Sequence, residues 1–373
     1  MRKRYLLLVA AVAAMSLVGA ACGDSSSTKT PTTKAGAASG SGTGAASTAC
    51  PKTAQKGDPA GKKVGMLFDL AGRGDQSFND SAACGLDRAA VDFKIAPSES
   101  VQAKEGDRAE RAKALAATNG LVASVGFLWA TPIEDAAKAN PNVKFSIVDS
   151  VVAQPNVYSV TFAEEQGSFL VGAAAALQTK SKKIGFIGGV GNDLIKKFAA
   201  GYVAGAKAAN SAVTVDVQYI TPDGDFSGFT APDKAKVIAD KMYSAGTDII
   251  YAAAGSSGSG MFESAKAYTD ANGAAKKVWG IGVDSDQYNT IGAALQPYVL
   301  TSMLKRVDVA VYNSIKSYVN GTFAGGKADV LDLKGEGVGY ATSGNFLTAD
   351  TIKKIEAYKA DIIAGKITVP SKP

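Results

Sequence analysis

The chain has 373 residues, 46% of them hydrophobic and 20% charged, which is room for two domains of ordinary size. It has no histidine and three cysteines. That excludes Ser-His and Cys-His nucleophiles, the commonest general base, and a zinc site of the usual Cys/His kind.

The N-terminus has the layout of a secretory signal over residues 1–21: Arg2, Lys3 and Arg4, an apolar run from Tyr5 to Val18, then Gly19, Ala20 and Ala21. The run is marginal against the ~20 apolar residues a membrane span needs, and Ser, Thr and Gly follow it, so removal is expected. Cys22, directly after small residues, is the expected lipidation site, although Gly19 stands where bacterial lipoboxes usually carry Leu. Net charge is +6 from 40 basic and 34 acidic residues. Loss of the signal leaves 37 basic against 34 acidic, scattered without the patch a nucleic acid requires.

Residues 22–60 are rich in Ser, Thr, Gly and Ala with hardly a large apolar side chain, and read as a flexible tether. Cys50 near its end and Cys84 further on either pair, stapling the tether to the first helix, or remain two thiols with Cys84 packed inside that helix.

From Lys63 onward, short β-branched apolar runs alternate with longer amphipathic segments, the pattern of parallel strands joined by helices. Strands are predicted over 64–70, 121–127, 143–150, 156–162, 183–189, 213–220, 247–254 and 277–284. Helices are predicted over 80–93, 107–118, 166–178, 194–209, 232–245 and 260–271. So many continuously apolar strands imply an α/β chain of two doubly wound, Rossmann-like lobes, with ligand contacts in the loops past the strands' carboxyl ends.

The loop Ala71 to Asp80 (AGRGDQSFND) offers Ser77, Asn79 or Asp80 as a helix cap, and Phe78 as either a stacking ring or a core plug. The Arg73-Gly74-Asp75 tripeptide resembles an adhesion motif, one that arises easily by chance. Ala252 to Glu263 (AAAGSSGSGMFE) presents backbone N–H groups in a turn but lacks the Gly-Lys-Ser/Thr ending of a phosphate loop. Gly188 to Leu194 (GGVGNDL) fails the dinucleotide fingerprint, so neither loop implies a cofactor. In GVDSDQ, Asp284 is placed to accept two hydroxyls of one ligand, to join a calcium-like oxygen site, or to cap a helix. Thr301 to Arg306 (TSMLKR) reads as the head of a long helix carrying Lys305 and Arg306.

Taken together, GDQSFND (Gly74 to Asp80), QGSFLVGAAA (Gln166 to Ala175), IGFIGGVGNDLIKKFAAGYVAG (Ile184 to Gly205), MYSAGTDIIYAAAGSSGSGMFE (Met242 to Glu263), GVDSDQ and LTSMLKRVD (Leu300 to Asp308) resemble the basic membrane protein family. These are nucleoside-receptor lipoproteins that bind substrate for ABC transporters. The resemblance covers about Lys63 to the C-terminus. It implies the two-lobed fold of type I periplasmic binding proteins, with lobes of residues 61–161 and 285–321, and of 162–284 and 322–373, closing on a ligand about a hinge.

The same resemblance implies that Phe78 and Phe229 sandwich a purine, that Asp69 and Asn79 lie beside the ligand, that Asp284 and Lys305 hold ribose hydroxyls, and that Gly258 offers backbone. Where the family commonly has an acid after the second strand, this chain has Thr131, with Trp129 nearby. The function implied is capture of a nucleoside, without chemistry, cofactor or metal, by a lipid-anchored monomer that delivers it to a membrane permease. Alternatives are a signalling or adhesive surface lipoprotein, a receptor for another small polar ligand such as a sugar, and a hydrolase using Asp69 and Asp284.

Overall fold

The computed structural model describes Cys50, residues 61–100, Gln102 and residues 106–373. The expected signal, Cys22 and the tether other than Cys50 lie outside the described residues. The chain first lays down β1 (Val64–Leu67), α1 (Phe78–Phe93), β2 (Ser98–Ser100), α2 (Arg108–Ala116), β3 (Leu121–Val125), α3 (Ala130–Ala139), β4 (Lys144–Val148) and β5 (Val157–Phe162). It continues through α4 (Glu164–Gln178), β6 (Lys183–Val190), α5 (Asp193–Ala209), β7 (Thr214–Thr221), α6 (Pro232–Ser244), β8 (Ile249–Ala253), α7 (Gly258–Asn272), β9 (Trp279–Asp284), α8 (Gln287–Thr290) and β10 (Val299–Lys305). Last come α9 (Val307–Val319), β11 (Lys327–Leu331), β12 (Val338–Tyr340) and α10 (Ala349–Ile363).

The strands form two six-stranded sheets, ordered β11-β5-β4-β3-β1-β2 and β12-β10-β9-β8-β6-β7. All pairings are parallel except β10 with β12. Every residue of β1, β3 and β8 is buried, as expected where helices cover both faces of a parallel sheet. In the first lobe α1 packs against α9, and α2 against α3; in the second, α4 packs against α5 and α10, and α6 against α7. Each lobe is thus a doubly wound unit, as the alternation of runs predicts, and this is the two-lobed type I binding-protein fold.

The boundaries of the lobes differ from the expected ones. The return to the first lobe, expected at Ser285, comes only after Lys305, because β10 pairs in register with β9. Residues 306–331 then complete the first lobe, with β11 pairing with β5, and residues 332–373 complete the second. The segment expected to begin a helix is a strand buried at all seven positions, with Lys305 as its last residue. A lysine at the end of an apolar run reads as solvated; here the tertiary fold buries it. The chain therefore crosses between lobes after Phe162, Lys305 and Leu331. The Ala163 N–H donates to the Leu331 carbonyl and the Arg306 N–H to the Gly337 carbonyl, both at 2.9 Å, stitching these crossings together.

Cys50 and Cys84 are joined by a disulfide, with Cα atoms 5.0 Å apart. It fixes the residue at position 50 to the middle of α1 and so to the first lobe.

Glycine governs the helix contact at the heart of the second lobe. A Cβ on Gly205 would lie 1.9 Å from the Phe169 carbonyl oxygen, one on Gly201 2.1 Å from that of Glu165, and one on Gly172 2.1 Å from that of Tyr202. Helices α4 and α5 therefore touch backbone to backbone, an approach that only glycine permits. Gly205→Ala should lower the melting temperature, with a cost of about 2 kcal/mol or more from overpacking. Gly339→Ala, where nothing lies within 4 Å, should leave it unchanged; equal melting of the two variants would refute this account.

Candidate ligand-binding site

The carboxyl ends of β1, β3 and β4 from the first lobe meet those of β8, β9 and β10 from the second around one cavity, enclosing about 610 Å³ of space between atoms, part of it open to solvent. Its wall includes Asp69, Asp75, Phe78, Asn79, Gly126, Phe127, Asp149, Phe198, Phe229, Gly255, Asp284 and Lys305. Six of the nine ligand contacts expected from the sequence, namely Asp69, Phe78, Asn79, Phe229, Asp284 and Lys305, are thus brought together.

The other three lie elsewhere. Trp129 is fully buried in the core of the first lobe, with the Arg111 guanidinium 4.9 Å from its ring centroid. Thr131 is exposed on the first turn of α3. Gly258 is buried at the start of α7. The cause is where the strands end: β3 stops at Val125, so Gly126 and Phe127 form the wall a few residues ahead of Trp129 and Thr131. Past β8 the wall is likewise Gly255 and Ser256. A Cβ on Gly126 would fall 2.1 Å from Asp69 Oδ2, so this glycine is the seat of the Asp69 carboxylate.

Sequence reasoning missed Asp149, at the end of β4. Asp149 and Asp284 hold equivalent places in the two lobes, at the carboxyl end of the fourth strand of each, and both have positive φ, at 69° and 64°, a conformation that Asp tolerates better than most residues. The signal was a short internal repeat, Val148-Asp149-Ser150 matching Val283-Asp284-Ser285.

Lys305 is 2% exposed. Its Nζ lies 2.7 Å from Asp149 Oδ2 and 3.2 Å from Glu164 Oε1, and 5.1 to 5.5 Å from the ring centroids of Phe78, Phe162 and Phe198. Burial opposes its charge, but Asp149, Glu164 and Asp284 outweigh this and hold its pKa above the ordinary lysine value. Glu164 is shared, since its Oε2 accepts from Lys197 Nζ at 2.8 Å. Asp149 Oδ1 is buried without a hydrogen-bond partner.

Two carboxyls sit above their ordinary range. Burial pushes Asp69 up to about 6, against the Leu70 N–H and Arg108. Burial pushes Asp284 up to about 7, against Lys305 and the Ser77 hydroxyl. Asn79 is spent on the scaffold: its Oδ1 accepts from the Asp69 N–H, and its Nδ2 donates to the Leu70 carbonyl and Asp75 Oδ2, all at 2.9 Å. The serines past β8 hold the Phe229 turn, Ser256 Oγ donating to the Phe229 carbonyl at 2.9 Å and Ser257 Oγ to that of Gly228 at 2.8 Å. The adhesion-like tripeptide is also consumed. Arg73 bridges Asp87 and Glu99, and Asp75 is buried.

The family model for PnrA-like ABC transporter substrate-binding proteins matches residues 62–373. The chain belongs to this family. The ABC transporter nucleoside-binding protein BmpA of Lactococcus lactis is 38% identical over 321 residues, 83% of this chain and 89% of that protein. Basic membrane protein A of Borreliella burgdorferi is 32% identical, over 83% of this chain and 88% of its own length. Among solved structures, an ABC transporter solute-binding protein from Aeropyrum pernix superposes with a TM-score of 0.71 at 28% identity, covering 83% of this chain and 94% of that one. The family resemblance read from the motifs is thereby established, and with it substrate binding for an ABC transporter. Among the described residues no helix is long and apolar enough to cross a membrane, and no cluster of three or more acids or cysteines is arranged to hold a metal.

Asp284 has a folded pKa of about 7 against an ordinary 3.8, so its ionisation destabilises the ligand-free fold above neutral pH and not below ~pH 4. Asp284→Asn should melt at a higher temperature than the parent near pH 8. The difference should shrink as pH falls; a pH-independent difference, or none, would show that burial does not burden this carboxyl.

Proposed function

We propose that this protein is the receptor of an ABC importer for nucleosides, purines favoured, that it is anchored outside the cytoplasm by lipid on Cys22, and that it hands its ligand to a membrane permease unchanged. The observation that carries the reading is the make-up of the cavity. Aromatic rings reach it from both lobes, Phe78 from the first and Phe229 from the second, and buried carboxylates with one ammonium line the same space.

A nucleoside matches both halves of that chemistry. Its base is flat, apolar on its faces and suited to stacking; its sugar carries hydroxyls that donate to carboxylates and accept from an ammonium. In this reading Phe78 and Phe229 flank the base and Asp284 and Lys305 take the ribose. Asp149, with one oxygen unpartnered, receives a further ligand donor, and Asp69 faces the base edge in place of the acid absent after β3. Asn79 acts by holding the Asp69 loop. The carboxylates need no acid–base role, because a ligand with several donors meets their unsatisfied acceptor capacity.

Calorimetric titration of the mature chain with a panel of nucleosides, free bases and sugars tests this. Nucleosides should bind saturably and be recovered intact, whereas sugars lacking a base should bind far more weakly. Phe229→Ala should weaken nucleoside binding by roughly ten- to a hundredfold, the worth of one base–aromatic stack. Tighter binding of a sugar would reassign the ligand class, and release of free base would make the protein a hydrolase. Cys22→Ser should move the protein from the membrane fraction to the soluble one; continued membrane retention would remove the lipid anchor from the proposal.

A further inference from the structure

Ser77 stands at the N-cap of α1, where a serine hydroxyl ordinarily accepts a backbone N–H of the first turn. It makes no such bond. The cap is supplied by Asp75, whose carboxylate accepts from the backbone N–H groups of Ser77, Asn79 and Asp80 at 2.9, 2.8 and 3.0 Å. Relieved of that task, the fully buried Ser77 hydroxyl crosses from the first lobe to the second. There it donates to Asp284 Oδ2 at 2.6 Å, with a longer contact of 3.3 Å to the Val283 carbonyl.

Further bonds run between the same two loops. Ser285 Oγ donates to the Ser77 carbonyl at 2.9 Å. The Gln76 carbonyl accepts from both Gln287 Nε2 and Thr290 Oγ1 at 3.0 Å. Gln76 and Asp284 have φ of 57° and 64°, left-handed conformations unusual outside glycine and retained only where the surroundings impose them.

We propose that Ser77 is a positioning residue for ligand capture: freed from capping by Asp75, its hydroxyl orients the Asp284 carboxylate across the cleft, so that the grip on a hydroxyl-bearing ligand depends on closure. The proposal rests on the reading of Asp284 as a ligand contact. When the lobes part, Ser77 leaves with the first lobe and Asp284 stays with the second, its side chain no longer fixed from across the cleft. On closure Oδ2 is occupied by Ser77 and Oδ1 is aligned for the ligand. Affinity for the closed state then exceeds affinity for the open one, the condition for a ligand to drive closure. The other groups acting on Asp284 are Lys305 from β10, which favours its charge, Asp75 from the loop before α1 and Asp149 from the end of β4, which oppose it, and the Tyr251 hydroxyl from β8.

Three variants of the mature chain test this: Ser77→Ala, Ser77→Thr, and Ser285→Ala, which breaks the neighbouring cross-lobe bond without touching Asp284. Ser77→Ala should fold as the parent does, since Asp75 retains the cap, and melt only modestly lower through the donor that Asp284 loses. Its nucleoside affinity should fall roughly tenfold or more through faster dissociation, the expected effect of losing a hydrogen bond to a charged group from the closed state. The pH midpoint of binding should also rise, because the carboxylate loses a donor that favours its ionised form. Ser77→Thr should restore both, and Ser285→Ala should weaken binding without moving the midpoint. Parental affinity and midpoint in Ser77→Ala would overturn the proposal. Small-angle scattering of the ligand-free chains provides a readout independent of ligand identity: Ser77→Ala should be more open than the parent. If the parent binds no nucleoside, the functional reading fails, and the scattering alone then decides, equal compactness in parent and Ser77→Ala overturning the latch.

Discussion

The architecture turns on one buried cation. Lys305 ends a strand at a point where the chain passes from one lobe to the other, and desolvating its ammonium is tolerable only because Asp149 and Glu164 lie within ion-pair distance and three aromatic faces surround it. Asp149 belongs to the first lobe, and Glu164 opens the helix that follows another crossing. The ion cluster therefore joins both lobes and the hinge, and its second cation, Lys197, donates to the carbonyl of Phe162 at that crossing. In the proposed function, a ligand that touches Lys305 touches the residues that join the two lobes.

Around this cation the site is deliberately under-satisfied. Burial holds Asp69 and Asp284 near neutral pKa values, and Asp149 keeps an unpartnered oxygen. Such groups diminish the stability of the ligand-free fold, as buried carboxyls without enough donors must. In the proposed function a ligand bearing several hydroxyls would supply their missing partners, and so direct the free energy of binding towards the closed state. The scaffold compensates elsewhere: Asp75 and Asn79 make a dense set of bonds within one loop, and glycines let α4 and α5 meet backbone to backbone.

Much of this was legible in the residues. Apolar runs of strand length between amphipathic stretches gave two doubly wound lobes; the rule that ligands lie beyond strand ends pointed to the loops holding Asp69 to Phe78 and Asp284 as well as to Trp129 and Thr131, and the family resemblance gave Asp69 and Phe78 their places beside the ligand. Asp149 was equally accessible through the repeated Val-Asp-Ser, an internal symmetry that no inspection of a single loop reveals. Trp129 misled because an aromatic ring near a strand end is as fit for a core as for a ligand, and only the length of β3 decides between them.

By itself the sequence determined what most of the segments between Val64 and Asp284 are, since periodicity is a local record of burial. It also fixed the chemistry available to the site, a set without histidine in which carboxylates, aromatic rings and one lysine must suffice. Tertiary structure decided the rest: that Val299–Lys305 is a strand of the second lobe, that Lys305 is buried rather than solvated, and that Ser77 reaches across the cleft instead of capping its own helix. The strand depends on pairing with β9 and β12, and the other two on partners more than a hundred residues away in the chain, Asp149 and Glu164 for Lys305 and Asp284 for Ser77. A side chain's direction and ionisation follow from the groups packed against it, and sequence order alone does not specify that neighbourhood.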